Sequence, residues 1–175
     1  GGGLRTTRQA AADNGYRSPS EDFVSLVDAP PTPSLSLDPT ERWLLFMENP
    51  PLRTIADLCR EQRKLAGLRF DPLRLLPALA GGYTRLTLRP LFGADGRPLS
   101  VEEAPQVAVE GLPAGARVRS VAWRPGGGGF AFVALPPEGA ASEMPELWLA
   151  DFDAKGPPPS GPVQAERLQD KAGNP

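Results

Sequence analysis

No histidine occurs in these 175 residues. Its absence removes the commonest general base and the commonest metal ligand together. Cysteine is nearly absent as well. Cys59 stands alone, which excludes an intrachain disulfide and a cysteine-based metal cluster. No serine lies in a Gly-x-Ser-x-Gly or Ser-x-x-Lys setting, and without imidazole neither serine nor Cys59 has its usual activating base. Charge of one sign is missing too. With 19 basic against 21 acidic side chains the net charge is -2, which argues against nucleic acid or an anionic membrane as the main partner. No apolar run approaches the ~20 residues a spanning helix needs, and Leu75 to Ala80 is broken by Pro77. These absences leave no catalytic residue, no cofactor-binding residue and no metal ligand to assign.

What is abundant is punctuation, with 22 prolines and 19 glycines, beside 40% hydrophobic and 23% charged residues. That composition suits a soluble globular domain. Leu35-Ser-Leu37-Asp-Pro39-Thr-Glu-Arg-Trp43-Leu-Leu45-Phe46 and Val121-Ala-Trp123-Arg-Pro125-Gly-Gly-Gly-Gly129-Phe130-Ala-Phe132 share one pattern at an offset of 86 residues. Each alternates apolar and polar positions across a short turn, the signature of a half-buried antiparallel hairpin. A second echo sets Leu91-Phe92-Gly-Ala94 against Asp151-Phe152-Asp-Ala154 at an offset of 60. Recurrence of a hairpin with its partner strand points to a repeat architecture.

Four strands are expected in each unit: about 34–38, 43–48, 83–91 and 105–110 in the first, and about 117–124, 129–135, 146–152 and 162–168 in the second. The fold class expected is mainly all-β: an incomplete β-propeller of about two four-stranded antiparallel blades, with a helical insertion in the first. The drop in offset from 86 to 60 gives the insertion 26 residues. Leu52, Ile55, Leu58, Cys59, Gln62, Leu65 and Ala66 fall at helical spacing within it, with a stop at Gly67 and Cys59 on the packed face. Blade one then spans about 33–110, with its insertion at about 50–76, and blade two spans about 117–168. The partial propeller as a whole is set at 15–153.

A short helix is expected at Ser20 to Val27, capped by Ser20, with Phe23, Leu26 and Val27 on one face. Residues 1–14 are Arg/Thr/Ala-rich, carry Asp13 as their only acid and start at Gly1. They are expected to be a disordered leader, compatible with the tail of an organelle transit peptide. Residues 154–175 are expected to be a Pro/Gly-rich tail overlapping the last strand.

Several candidate sites reduce to structure. Gly126 to Gly129 lies between two strands with no Gly-Lys-Ser/Thr, so it is a hairpin turn rather than a phosphate loop. Glu102-Glu103 and the pair Asp151 and Asp153 are read as solvated turns rather than calcium or acid/base carboxylates. The run Arg53, Arg60, Arg63, Lys64, Arg69, Arg74, offset by Asp57, Glu61 and Asp71, is read as a solvated outer face. Trp43, Trp123 and Trp148 fall in strands and are expected between sheets.

From Asn14 onward the chain resembles the N-terminal region of the chloroplast glutamyl endopeptidases, a branch of the prolyl oligopeptidase family of serine peptidases. The resemblance is carried by Gly15-Tyr16-Arg17-x-Pro19, Val27-Asp28-Ala29-Pro30-Pro31-x-Pro33, Leu35-Ser36-x-x-Pro39, Pro51-Leu52, Ile55-Ala56-Asp57-Leu58, Lys64-Leu65-Ala66-Gly67-Leu68-Arg69, Val121-x-Trp123 and Leu147-Trp148-Leu149-Ala150-Asp151. It implies a seven-bladed propeller capping a C-terminal α/β-hydrolase domain absent from this chain, whose Ser-Asp-His triad has no counterpart here. It also implies peptide or unfolded protein substrates cut after glutamate in the chloroplast stroma. On this reading the chain alone is inactive. A non-enzymatic propeller serving as a protein-interaction scaffold is the competing expectation; the reading frame beyond Pro175 separates the two.

Overall fold

A computed structural model of the chain describes residues 19–53, 55–78, 81–93, 95–100, 102–137, 140 and 144–168. The leader expected at 1–14 lies outside the described residues. In chain order the elements are α1 (Glu21–Val27), β1 (Ser34–Leu37), β2 (Trp43–Glu48), α2 (Ile55–Leu58), β3 (Arg63–Leu65), β4 (Leu68–Asp71), β5 (Leu76–Pro77), β6 (Arg85–Pro90), β7 (Val107–Glu110), β8 (Arg117–Trp123), β9 (Gly129–Leu135), β10 (Glu146–Asp151) and β11 (Val163–Arg167).

The fold is mainly β, and eight strands form one curled sheet in the order β1-β2-β6-β7-β11-β10-β9-β8. It consists of two antiparallel meanders, β1-β2-β6-β7 and β8-β9-β10-β11. They meet where β7 and β11 run parallel over Val109↔Val163 and Glu110↔Gln164. The sheet curls far enough to bring its two ends together. Tyr83 and Val118 exchange backbone hydrogen bonds of 2.7 and 2.9 Å, and Trp123 Nε1 donates to Ser36 Oγ at 2.9 Å.

Alternation sets which side chains face the space between the meanders. The first sends in Trp43, Leu45, Met47, Leu86, Leu88, Val107 and Val109; the second sends in Val118, Phe130, Phe132, Ala134, Trp148, Ala150, Val163 and Ala165. Leu45, Leu88 and Ala150 retain no exposed surface. Burying each large apolar side chain stabilises the fold by about 1.5–3 kcal/mol. Within β8, Ser120 (φ 44) is a bulge between Arg119 and Val121, and the shift turns Val121 and Trp123 onto the core face.

The two meanders are register-equivalent. The Asp38 amide donates to Trp43 O (3.0 Å) as Arg124 donates to Gly129 O (2.9 Å), and Leu91 donates to Arg42 O (2.8 Å) as Phe152 donates to Gly128 O (2.9 Å). The offset is therefore 86 for the hairpins and 61 for the third strands (152 − 91). The expected second offset of 60 was one residue short, because aligning Phe92 with Phe152 places them on opposite parity; Phe152 occupies the place of Leu91.

The expected helical insertion is corrected. Among the described residues of the insertion only Ile55–Leu58 is helical, and Arg63–Leu65, Leu68–Asp71 and Leu76–Pro77 form a three-stranded sheet, β3-β4-β5. Ala66 (φ 48) and Gly67 (φ 84) both take positive φ and close the β3–β4 hairpin at Leu65↔Leu68. Two consecutive left-handed residues make a turn whose twist matches a hairpin, so Gly67 turns the chain rather than capping a helix. The helical stripe also lacks a partner: Leu52, Ile55, Leu58 and Leu65 are all exposed. Without tertiary packing a short helix does not extend. Helix α1 forms where expected, with Ser20 at its N-cap but no side-chain cap bond, and none of its residues is buried.

Candidate functional site

Hairpin loops bring the one buried charged residue among those described to one end of the sheet. Asp38 follows β1 and precedes Pro39-Thr40, a sequence that favours a side-chain-capped turn. Its carboxylate is 1% exposed. Oδ1 accepts the backbone amides of Arg42 and Trp43, both at 2.8 Å, and Oδ2 accepts the Thr40 hydroxyl and the Thr40 amide. Four donors occupy this acid, so it holds the loop and offers no lone pair for chemistry. The sequence reading passed over Asp38; its signal was Asp-Pro-Thr at a strand end.

The glycine run forms the matching loop of the second meander, a hairpin turn as expected. Gly127 (φ 74) sits beside the first loop, where an added Cβ would stand 2.8 Å from Thr40 Cγ2 and 3.1 Å from Asp38 Oδ2. Of the other candidate carboxylates, Asp151 ends strand β10, and Asp153 and Glu103 serve turns. Asp151 pairs with Arg124 at 2.6 Å. Asp153 accepts the backbone amides of Lys155 (2.9 Å) and Gly156 (3.0 Å), and these bonds, helped by the Lys155 charge, hold its carboxyl below the usual range. Glu103 accepts Ser100 N and Ser100 Oγ. Among the described residues no three His, Cys, Asp or Glu side chains gather as a metal site.

Cys59 is exposed at the end of α2 rather than packed, because the expected helix face does not form. Trp43 and Trp148 are buried in the core as expected, and Trp123 packs against it edge-on to Phe130, with ring centroids 5.1 Å apart. The arginine run is redistributed. Arg63, Lys64 and Arg69 lie on β3 and β4, while Arg53, Arg60 and Arg74 line a cavity of ≈ 410 Å³ between the small sheet and the β8/β9 end of the second meander. Arg117, Glu61 and Asp71 complete its charged lining. Arg74 Nη2 donates to Pro136 O at 3.4 Å and ties the small sheet to the large one. Arg53, Arg60 and Arg74 are each engaged by neighbours, and Asp71 caps the Leu73 and Arg74 amides. The cavity lining places no nucleophile beside a base.

No family model matches the chain, and no solved structure matches it. Among curated proteins it is similar to the probable glutamyl endopeptidase, chloroplastic, of Arabidopsis thaliana, 33% identical over 145 residues, which are 83% of this chain and 14% of that protein. It is equally similar to the protein of that name from Oryza sativa subsp. japonica, 33% identical over 146 residues, 83% of this chain and 15% of that protein. The resemblance read from the sequence is borne out by these homologues. The chain spans 14–15% of the length of the curated relatives it matches.

Proposed function

We propose, on the premise of homology to a segment of proteins named glutamyl endopeptidase, that this chain forms two successive blades of a β-propeller. That propeller stands before a serine-peptidase domain lying outside these 175 residues. The observation that carries the reading is the 33% identity over 83% of the chain. The sheet geometry supports it independently. The two meanders share one hairpin register, yet Trp43, Leu45 and Met47 face the core in the first, while the residues at that offset in the second, Gly129, Ala131 and Val133, fall on the opposite face from Phe130 and Phe132. Front therefore packs on back, as in units related by rotation about an axis, and the parallel meeting of the two fourth strands agrees with such a rotation.

The reaction on this reading is acyl transfer through a seryl intermediate, with the triad and oxyanion hole supplied by the catalytic domain. The contribution of these blades is steric: a propeller in front of a buried nucleophile admits short or unfolded peptides and turns away folded protein. The compartment on this reading is the chloroplast stroma; the names of the homologues give the chloroplast.

The test compares two proteins: residues 1–175 alone, and the product of the complete reading frame that contains them. The complete product is expected to cut after glutamate in unfolded peptides and to react with a serine-directed phosphonate; residues 1–175 do neither. Labelling of any serine within 1–175, or a reading frame that encodes further blades without a Gly-x-Ser-x-Gly, overturns the peptidase reading. The second outcome establishes a scaffold instead.

A further inference from the structure

Helix α1 lacks most of what holds a short helix. It has seven residues, no side-chain cap bond and no buried residue, and Phe23, Leu26 and Val27 stand 64%, 72% and 63% exposed on one face. Isolated helices shorter than about 12–15 residues are marginal in water, so this one needs a partner. Its charges are also unbalanced. Residues 20–28 hold Glu21, Asp22 and Asp28 and no base, and Asp28 sits at the C-cap, where the helix dipole disfavours negative charge.

The insertion carries the complementary surface. Leu52, Ile55 and Leu58 recur every three residues and are exposed, Leu52 and Ile55 each at 79%. Residues 50–76 hold six cations against three acids. Lys64 and Arg69, both exposed, stand opposite each other on β3 and β4, where like charges repel and a nearby acid relieves them.

Both surfaces leave the large sheet at one point. Ser34 opens β1 opposite Met47, next to the end of β2, and Asn49 Nδ2 donates to Thr32 O at 2.6 Å and to Ser34 Oγ at 3.3 Å. The chain entering β1 is thus tied to the chain leaving β2. From Thr32 back to Val27 is five residues, a reach of at most about 18 Å. From Asn49 forward to Leu52 is three. So short a tether holds the two surfaces at high effective concentration.

We infer that α1 folds back on the insertion, its Phe23, Leu26 and Val27 stripe seating on Leu52, Ile55 and Leu58, with its acids beside the basic β3–β4 hairpin. The contact is internal to the chain and stands apart from the peptidase reading. The outward faces of the large sheet are not the seat, because on that reading neighbouring units stack there. Leu52 also lines the cavity beside the small sheet, so the docked helix borders that cavity.

Hydrogen exchange followed by mass spectrometry tests this, on the product of the complete reading frame and on residues 1–175. In both, segment 20–28 is expected to exchange about tenfold or more slowly than the free peptide of that sequence. Leu52→Glu and Ile55→Glu, each at a position exposed enough to keep the fold, abolish that protection and leave the β9 amides as in wild type. Exchange of 20–28 at the free-peptide rate in either protein overturns the inference. So does protection that both variants leave intact, the mark of a helix seated elsewhere, including on another part of the longer protein. Should a variant lose β9 protection too, a nitroxide on Cys59, exposed and the sole cysteine of residues 1–175, decides on the wild-type chain. Amides 23–27 broadened more strongly than those of Ala29 and Thr32 support the contact; equal or weaker broadening overturns it.

Discussion

Glu41 and Gly127 hold the same place in two copies of one loop. Both have positive φ, 57° and 74°, and both amides donate to the carbonyl three residues back, Glu41 to Asp38 at 3.0 Å and Gly127 to Arg124 at 2.9 Å. One repeat tolerates a side chain in the left-handed region because that side chain points to solvent; the other does not, because Thr40 and Asp38 fill the space.

The two positions should therefore respond in opposite directions. Gly127→Ala is expected to destabilise the fold by about 1–2 kcal/mol, from the left-handed backbone and the close approach to Thr40. Glu41→Gly is expected to leave stability unchanged or raise it by up to ~1 kcal/mol. Urea unfolding midpoints measure both.

Asp38→Ala strips four donors of their acceptor at a buried site and is expected to cost about 2–3 kcal/mol. Asp38→Asn keeps one acceptor oxygen and costs less. The comparison of denaturation midpoints separates the hydrogen bonds from the packing of the side chain.

Ala66→Asn distinguishes a hairpin from a helix at 63–71. In a two-residue turn with both φ positive, Asn-Gly is favoured, so the substitution is expected to stabilise the hairpin by about 0.5–1 kcal/mol. In a helix interior it would destabilise by about 0.6 kcal/mol. Amide exchange across β3 and β4 reads the sign.

Asp153 titrates below the ordinary aspartate range because Lys155 and Gly156 donate their amides to its ionised carboxylate. With the folded pKa lowered, the stability that this turn gains is present above the unfolded pKa. It is lost as pH falls through the folded value. Carboxyl carbon shifts followed by NMR should give a midpoint below that of an unstructured peptide, with the Lys155 and Gly156 amide shifts moving together with it. A midpoint in the ordinary range contradicts the assignment.

Strand placement was legible because period-2 alternation acts locally: Trp43, Leu45 and Met47 alternate in sequence as they do in burial. Each of the eight large-sheet strands lies within the span expected for it. The insertion was not legible. Leu52, Ile55 and Leu58 fit a helical stripe, but a stripe stabilises a helix only against a partner, and these residues are exposed. Ala66-Gly67 reads equally as a helix end or a hairpin turn, and pairing with Leu68 decides it. The face parity of the two meanders was hidden for a different reason: a one-residue offset between 60 and 61 reverses every side chain, and backbone bonds such as Phe152 to Gly128 fix it. Asp38 escaped because a lone aspartate at a turn looks solvated until its amide donors are counted.

Front-to-back packing of the two meanders is tested most directly by methyl and aromatic NMR of residues 1–175 with a soluble paramagnetic probe. Leu45, Leu88, Phe132 and Trp148 should be shielded and linked by cross-sheet NOEs, while Leu35, Val133 and Leu147 are attenuated. Shielded Val133 and Leu147 signals, with Phe132 and Trp148 attenuated at a concentration where the chain is monomeric, would contradict the account.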